Sequence, residues 1–119
     1  MGTSGPENFD SDSAHSWFDG FVRRLVAEIA KDMKSPSAIC DHPLAAKIEV
    51  LTLLLEFNGD PPKPEKVAVW RETYLQTWEA KIDNEYPDPD YKAQRREVIK
   101  ATFDRLAAVS EKWHREAPS

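Results

Sequence analysis

Residues 43–58, PLAAKIEVLTLLLEFN, place large apolar side chains on almost every side of a helix. These side chains are Leu44, Ile48, Val50, Leu51, Leu53, Leu54, Leu55 and Phe57. A helix that is apolar on most of its circumference is normally covered by other elements on all sides. Asp41 and Pro43 open the segment as capping residue and helix starter, and Gly59 follows it as a C-terminal cap. The stretch therefore predicts a helix in the middle of an all-α bundle.

An amphipathic pattern before this segment predicts another helix, over residues 12–34. Its apolar residues recur at steps of three and four, as one face of a helix requires. They are Trp17, Phe18, Phe21, Val22, Leu25, Val26, Ile29 and Met33. Ser11 or Asp12 is placed to cap its first amides, and Ser35-Pro36-Ser37 ends it. We expect this helix to lay one apolar face on the bundle.

Prolines mark the starts of two further helices, over residues 64–84 and 88–115. Pro64 follows a stiff proline-rich connector, and Asp88-Pro89 joins a capping residue to a favoured first helical residue. Their apolar stripes are Val67, Trp70, Tyr74, Trp78 and Ile82, then Tyr91, Val98, Ile99, Thr102, Phe103, Leu106, Val109 and Trp113. The pattern predicts a single-domain four-helix bundle over residues 1–119, with residues 1–11 as an N-terminal Gly-rich leader.

The composition restricts the class of protein. A chain of 119 residues has the usual length of one domain, and a formal net charge of −5 disfavours broad binding to phosphate backbones. The single cysteine, Cys40, leaves no internal disulfide. The first twenty residues hold acids but no Lys or Arg, unlike an export signal, and no apolar run approaches the roughly 18 residues of a membrane span. We expect a cytoplasmic protein whose partner is neither nucleic acid nor membrane.

The histidines are the first residues to consider for metal binding or catalysis. Cys40-Asp41-His42 lacks a second cluster of ligands, and we interpret it as a surface turn that caps a helix. Glu111 and His114 have the spacing of helical di-iron sites, but the motif is not repeated, which favours a solvated helix end. The residues therefore assign no catalytic group, no metal ligand and no cofactor.

His15 lies on the first predicted helix, close to Asp10, Asp12 and Asp19. An acid–base pair or a weak cation site is one interpretation of this set. Capping of the helix and compensation of its dipole explain the acids with fewer assumptions. Asp10, Asp12, His15 and Asp19 are accordingly our candidate residues for binding a partner.

Two repeated patterns are further candidates for contact surfaces. Lys92, Arg96 and Lys100 recur every four residues and predict a basic strip, although a solvated helix face is the simpler interpretation. The aromatic row of the third predicted helix has the spacing of a core stripe. Its rings would form a binding surface only if they were exposed.

The chain begins with Met1-Gly2-Thr3-Ser4-Gly5, followed by Phe9-Asp10-Ser11-Asp12 and Ala14. Later stretches read Tyr91-Lys92-Ala93, Arg95-Arg96, Val98-Ile99 and Thr102-Phe103-Asp104-Arg105-Leu106. In these residues the chain resembles a bacterial family known as domain of unknown function 4259. The resemblance implies a structural leader, folded back against the bundle and built from Gly2, Gly5, Phe9, Asp10 and Asp12. It implies no established activity.

Together these observations favour a non-enzymatic protein that binds another protein through Asp10, Asp12, His15 and Asp19. A small acidic protein is suited to a basic partner, so a narrower hypothesis is an antitoxin or immunity protein that neutralises a toxin. The alternative is a small helical enzyme or metal-binding protein with its site near His15. The chain is expected to be a monomer or a homodimer, and in the dimer helix 43–58 or the aromatic row would complete the core.

Overall fold

The computed structural model describes residue 8 and residues 11–41, 43–85 and 88–116, with residues 40, 41 and 83–85 described by their backbone alone. No strand occurs among these residues, so the all-α prediction is confirmed. The same ranges contain five helices: α1 (Asp12–Asp32), α2 (Pro36–Asp41), α3 (Leu44–Phe57), α4 (Pro64–Glu85) and α5 (Pro89–Glu116).

The prediction of four helices missed one, because residues 36–41 form a short helix instead of a connecting turn. The Ser35 hydroxyl caps it by accepting a hydrogen bond from the Ala38 amide at 3.3 Å, and Pro36 takes the first helical position. Ala38 and Ile39 are buried, so this helix also contributes to the core. Ser35-Pro36-Ser37 therefore ends α1 and immediately starts α2.

The new helix also corrects two predictions about the residues that follow it. Cys40 and Asp41 are the last residues of α2 and do not form the predicted surface turn, while His42 lies outside the described residues. α3 begins at Leu44 after Pro43, and no side chain caps its first amides. The predicted capping of this helix by Asp41 is therefore wrong, because that residue still belongs to the preceding helix.

The other helix bounds lie within two residues of the predicted ones. The Ser11 hydroxyl caps α1 by accepting a hydrogen bond from the Ala14 amide at 3.2 Å. The Asp88 carboxylate accepts one from the Asp90 amide at 3.0 Å, ahead of α5. The capping residues that the sequence shows at these two helix starts act as predicted.

The long helices pack in the order α1, α3, α5 and α4, and α2 contacts α1, α3 and α4. Burial of each large apolar side chain in the core between them stabilises the fold by roughly 1.5–3 kcal/mol. The aromatic row of α4 belongs to this core, as its spacing predicts. The largest buried apolar residues are Phe18, Ile29, Met33, Ile39, Leu44, Ile48, Leu51, Leu55, Trp70, Tyr74, Trp78, Ile82, Ile99, Phe103 and Leu106.

The connector between α3 and α4 is held in place by α5. Pro61 and Pro62 are buried. The Ser110 hydroxyl donates to the Pro62 carbonyl, and His114 Nε2 lies 3.2 Å from the Pro61 carbonyl oxygen. The predicted solvated helix end is therefore wrong for His114, which is half-buried against the connector.

Candidate functional site

Three residues of the predicted binding set lie on the first half of α1, namely Asp12, His15 and Asp19. The fourth, Asp10, lies outside the described residues, as do the predicted leader residues Gly2, Gly5 and Phe9. Seven residues separate the two described acids, so at 3.6 residues per turn both carboxylates point to the same side of the helix. Both are exposed, and they give α1 an acidic side near its N-terminus.

His15 is half-buried and links α1 to the end of α3. The Nδ1 atom of His15 lies 3.2 Å from Nδ2 of Asn58. When Nδ1 carries no proton, the Asn58 amide donates a hydrogen bond to it. Within the described ranges, no three His, Cys, Asp or Glu side chains are grouped as metal ligands would be. The contact with Asn58 joins α1 to the residue that caps the end of α3.

Asp19 lines a small cavity with Val22, Arg23 and Asp60. The cavity measures about 20 Å³, which is room for about one water molecule. A substrate does not fit in this space. The structure therefore brings Asp19 beside Asp60, an acid of the connector.

Arg96, the middle residue of the predicted basic strip on α5, binds other residues of the fold. Arg96 donates from Nε to Oε1 of Glu79 on α4 at 2.5 Å. Its guanidinium carbon also lies 6.0 Å from the centre of the Trp78 ring. These contacts hold α4 against α5, a role of Arg96 that neither the basic strip nor the solvated face predicts.

A larger groove, of about 600 Å³, lies between the connector, the start of α4 and the end of α5. Its walls are formed by Val26, Pro61, Pro62, Trp113 and His114, and its charged rim by Asp60, Lys63, Glu65 and Lys66. Two carboxylates and two ammonium groups on one rim largely cancel each other at short range. The groove therefore has no single-sign field that would select a charged ligand.

Most of the exposed large apolar side chains among the described residues belong to α1 and α3. Five of their large apolar side chains are between 40% and 61% exposed, and we call this surface the α1–α3 face: Trp17, Phe21, Val50, Leu53 and Phe57. The Trp17 and Phe21 rings stack with centres 6.0 Å apart. Phe57 packs its ring edge-on against buried Phe18 at 5.5 Å, which connects the two halves of the face.

Two sets of contacts fix how α1 and α3 lie beside each other. The Phe18–Phe57 contact joins the start of α1 to the end of α3, so the helices run antiparallel. At the other end, Lys47 Nζ lies 2.6 Å from Asp32 Oδ2 and 3.0 Å from Glu28 Oε2. Hydrogen bonds to Asp32 and then to Glu28 hold the pKa of the Lys47 ammonium above its ordinary value of 10.5. Trp17, Phe21, Leu53 and Phe57 consequently lie toward one end of the pair, and Val50 lies nearer the Lys47 contact.

The sequence predicts both helices but not this face. Trp17 and Phe21 are in step with the core stripe of α1, and α3 is apolar on most sides, so all five residues were expected to be covered. α1 and α5 cover two sides of α3 and leave the side with Val50, Leu53 and Phe57 open. The prediction that α3 is covered all round is therefore wrong.

None of the described helices combines the length and the apolar character that crossing a bilayer would require. A scan against protein-family models, a search of curated proteins and a search of solved structures each gave no match.

Proposed function

We propose that the protein is a non-enzymatic module that binds another protein through the α1–α3 face. The observation that supports this proposal is the exposure of five large apolar side chains on two adjacent helices. Exposed apolar area is unfavourable in water, and a contiguous patch of it is typical of a surface that binds a protein. Trp is also enriched among the residues that contribute most to binding at interfaces.

The acidic side of α1 supports a narrower proposal. Asp19 is two residues away from both Trp17 and Phe21, so its side chain points about 200° around the helix from theirs. Asp12 and Asp19 therefore lie on a different side of α1 from the α1–α3 face. Together with the net charge of −5, these acids favour a basic partner, such as a toxin held by an antitoxin or immunity protein.

Affinity capture from an extract of the native host tests the main proposal. Leu53→Glu puts a charge at a half-exposed position within the face, and we expect it to reduce capture of the partner at least about tenfold, because the charge would be buried unpaired on binding. Val69→Glu on α4 and Val98→Glu on α5 are matched controls, since both residues are apolar, about as exposed and outside the face. Equal capture by all three variants and the wild type would contradict the proposal.

The double variant Asp12→Asn/Asp19→Asn tests the acidic side separately. If it alone loses the partner, while Leu53→Glu keeps it, the contact belongs to the acids and the α1–α3 face is not the binding surface. If Leu53→Glu alone loses the partner, the basic-partner proposal is wrong. Circular dichroism of every variant confirms that the helices remain folded.

A further inference from the structure

We propose that Asn58 is a site of spontaneous modification, at which the side-chain amide is lost as ammonia and aspartate or isoaspartate remains. The main-chain nitrogen of the next residue, Gly59, attacks the Asn58 side chain, and water opens the ring that forms. Three features of the junction between α3 and the connector support this site: the residue that follows Asn58, the contact between the two reacting groups, and the ring of His15 beside the leaving nitrogen. The site does not depend on the proposed function.

The residue after Asn58 distinguishes it from the other asparagines. The chain has three, Asn8, Asn58 and Asn84, and only Asn58 is followed by glycine. A main-chain nitrogen that attacks the preceding side chain is shielded by the side chain of its own residue, and glycine has none. Asn58 is also exposed and follows the last residue of α3, whereas Asn84 and Glu85 lie within α4, where helical hydrogen bonds restrain the main chain.

The two groups that react are already in contact. The Gly59 amide donates a hydrogen bond to Oδ1 of Asn58 at 2.9 Å. Because Oδ1 is bonded to Cγ, the carbon that is attacked, this hydrogen bond holds the attacking nitrogen beside its target. A rotation at Asn58 that turns the face of the carboxamide toward the nitrogen is needed before the new bond forms, and the exposed side chain has room for it.

The reaction needs only water. The Gly59 nitrogen loses its proton to solvent and forms a bond to Asn58 Cγ, and the Cγ–Oδ1 double bond places its electron pair on the oxygen. When that double bond forms again, the Cγ–Nδ2 bond breaks, and Nδ2 takes up a proton and leaves as ammonia. Water then opens the five-membered imide at either of its two carbonyl carbons, which gives aspartate or isoaspartate. One water molecule is consumed and one ammonia is released, without an oxidant, a reductant or a cofactor.

His15 lies beside the nitrogen that leaves. Its Nδ1 atom is 3.2 Å from Asn58 Nδ2, a distance over which a side chain can transfer a proton. In the planar amide Nδ2 does not accept a proton, but in the tetrahedral intermediate it is an amine and does. A His15 ring that carries a proton on Nδ1 therefore supplies the proton with which ammonia leaves, a role that histidine fills more often than other side chains.

The product changes the end of α3 in charge and in main-chain length. Aspartate and isoaspartate each add one negative charge to the formal net charge of −5, at the helix end where the dipole disfavours it. Isoaspartate also carries the main chain through its side-chain carbons, which lengthens the main chain by one carbon atom immediately before Gly59. Phe57, whose ring packs against Phe18, directly precedes the altered residue.

Incubation of the purified full chain at neutral pH, followed by peptide mapping with mass spectrometry, tests the site. We expect the peptide that contains Asn58 to gain the mass of an amide-to-acid conversion and to divide into aspartate and isoaspartate forms. The peptide that contains Asn84 is the internal control and should keep its amide over the same period. A sample digested without incubation measures the conversion that digestion itself causes. If Asn58 keeps its amide for as long as Asn84 does, the proposal is overturned.

Two variants of the folded chain, checked by circular dichroism, test the reacting groups. Asn58→Gln keeps an amide but would have to close a six-membered ring, and we expect it to show no conversion at this position. Rapid conversion of the Asn58→Gln variant would overturn attack by the Gly59 nitrogen.

His15→Ala removes the proton donor and should slow conversion about tenfold, less than the roughly hundredfold of a positioned acid in an enzyme, because the contact is exposed. His114→Ala is the matched control, since His114 contacts the connector at Pro61, and it should convert at the wild-type rate. Imidazole in the buffer should restore more of the rate to His15→Ala than it adds to the wild type, which a purely structural role of the ring does not predict. A His15→Ala variant that converts as fast as the wild type or faster would overturn the role of His15.

Discussion

Gly59 is the residue at which the chain leaves α3 and turns into the connector. Its φ angle is +114°, a value that residues with a side chain rarely adopt. A Cβ atom at this position would lie 3.4 Å from Leu55 Cδ2 and 3.8 Å from atoms of Phe18 and Val22. The conformation, more than the available space, therefore requires glycine at this position, which follows Asn58, the residue that caps the C-terminus of α3.

We expect Gly59→Ala to lower the free energy of unfolding by about 1–2 kcal/mol, because alanine must take a strained backbone conformation. Urea denaturation followed by circular dichroism measures the change. Gly20→Ala on α1 is the control: a Cβ there meets only Arg24 Nη1 at 3.5 Å, and alanine favours a helix by up to about 1 kcal/mol over glycine. Equal effects of the two substitutions would show that the backbone at Gly59 is not strained for alanine.

Ion pairs act at the scale of the helices, because each pair of neighbours in the order α1, α3, α5 and α4 is joined by at least one. Lys47 joins α3 to α1, Glu56 joins α3 to Arg105 of α5, and Arg71 of α4 lies 3.2 Å from Asp104 of α5. Exposed pairs of this kind contribute little to stability individually. They do favour the observed packing order, since other arrangements of the helices would separate these charges.

The Glu56–Arg105 pair predicts how stability depends on pH. Two hydrogen bonds from Arg105 hold the pKa of the Glu56 carboxyl below its ordinary value of 4.5. A group whose pKa is lower in the folded state stabilises the fold above its unfolded pKa and loses that contribution as the pH falls through its folded pKa.

Urea denaturation at several pH values therefore should show a steeper loss of stability below about pH 4.5 for the wild type than for Glu56→Gln. Glutamine keeps the shape of the side chain but cannot titrate. Two curves that stay parallel from neutral to acidic pH would contradict the role of the pair.

The helices were predictable from the sequence where proline and capping residues mark their starts, as Ser11 and Asp88 do. α2 was not predictable from the sequence, because six residues are too few to show a helical period. Ser35-Pro36-Ser37 is also as typical of the end of a helix as of its start. The α1–α3 face was missed for a different reason. Periodicity shows which residues of a helix lie on one side, but which side a neighbouring helix covers depends on the packing order. Asp12, His15 and Asp19 were placed correctly on a helix, α1.

At the scale of the whole molecule, α5 joins α3, α4 and the connector. It packs against both α3 and α4 and also holds the connector through Ser110 and His114. α1 packs only against α3 and the short α2 among the described elements. The parts of a protein with fewer buried contacts open more readily than the rest.

Hydrogen exchange followed by mass spectrometry should accordingly find the slowest amides in α5 and faster exchange in α1. Exchange from α1 as slow as that from α5 would contradict the packing order as the source of local stability.

The position of α5 after the other four helices has a consequence for protein synthesis. While residues 89–116 are still inside the ribosome, α3 and α4 have emerged without the helix that joins them. The Trp70, Tyr74 and Trp78 rings are then open to water, and nascent chains in this condition are prone to aggregate. Folding can finish only after Phe103 and Leu106 have left the exit tunnel, so we expect the nascent chain to rely on chaperones until both residues have emerged.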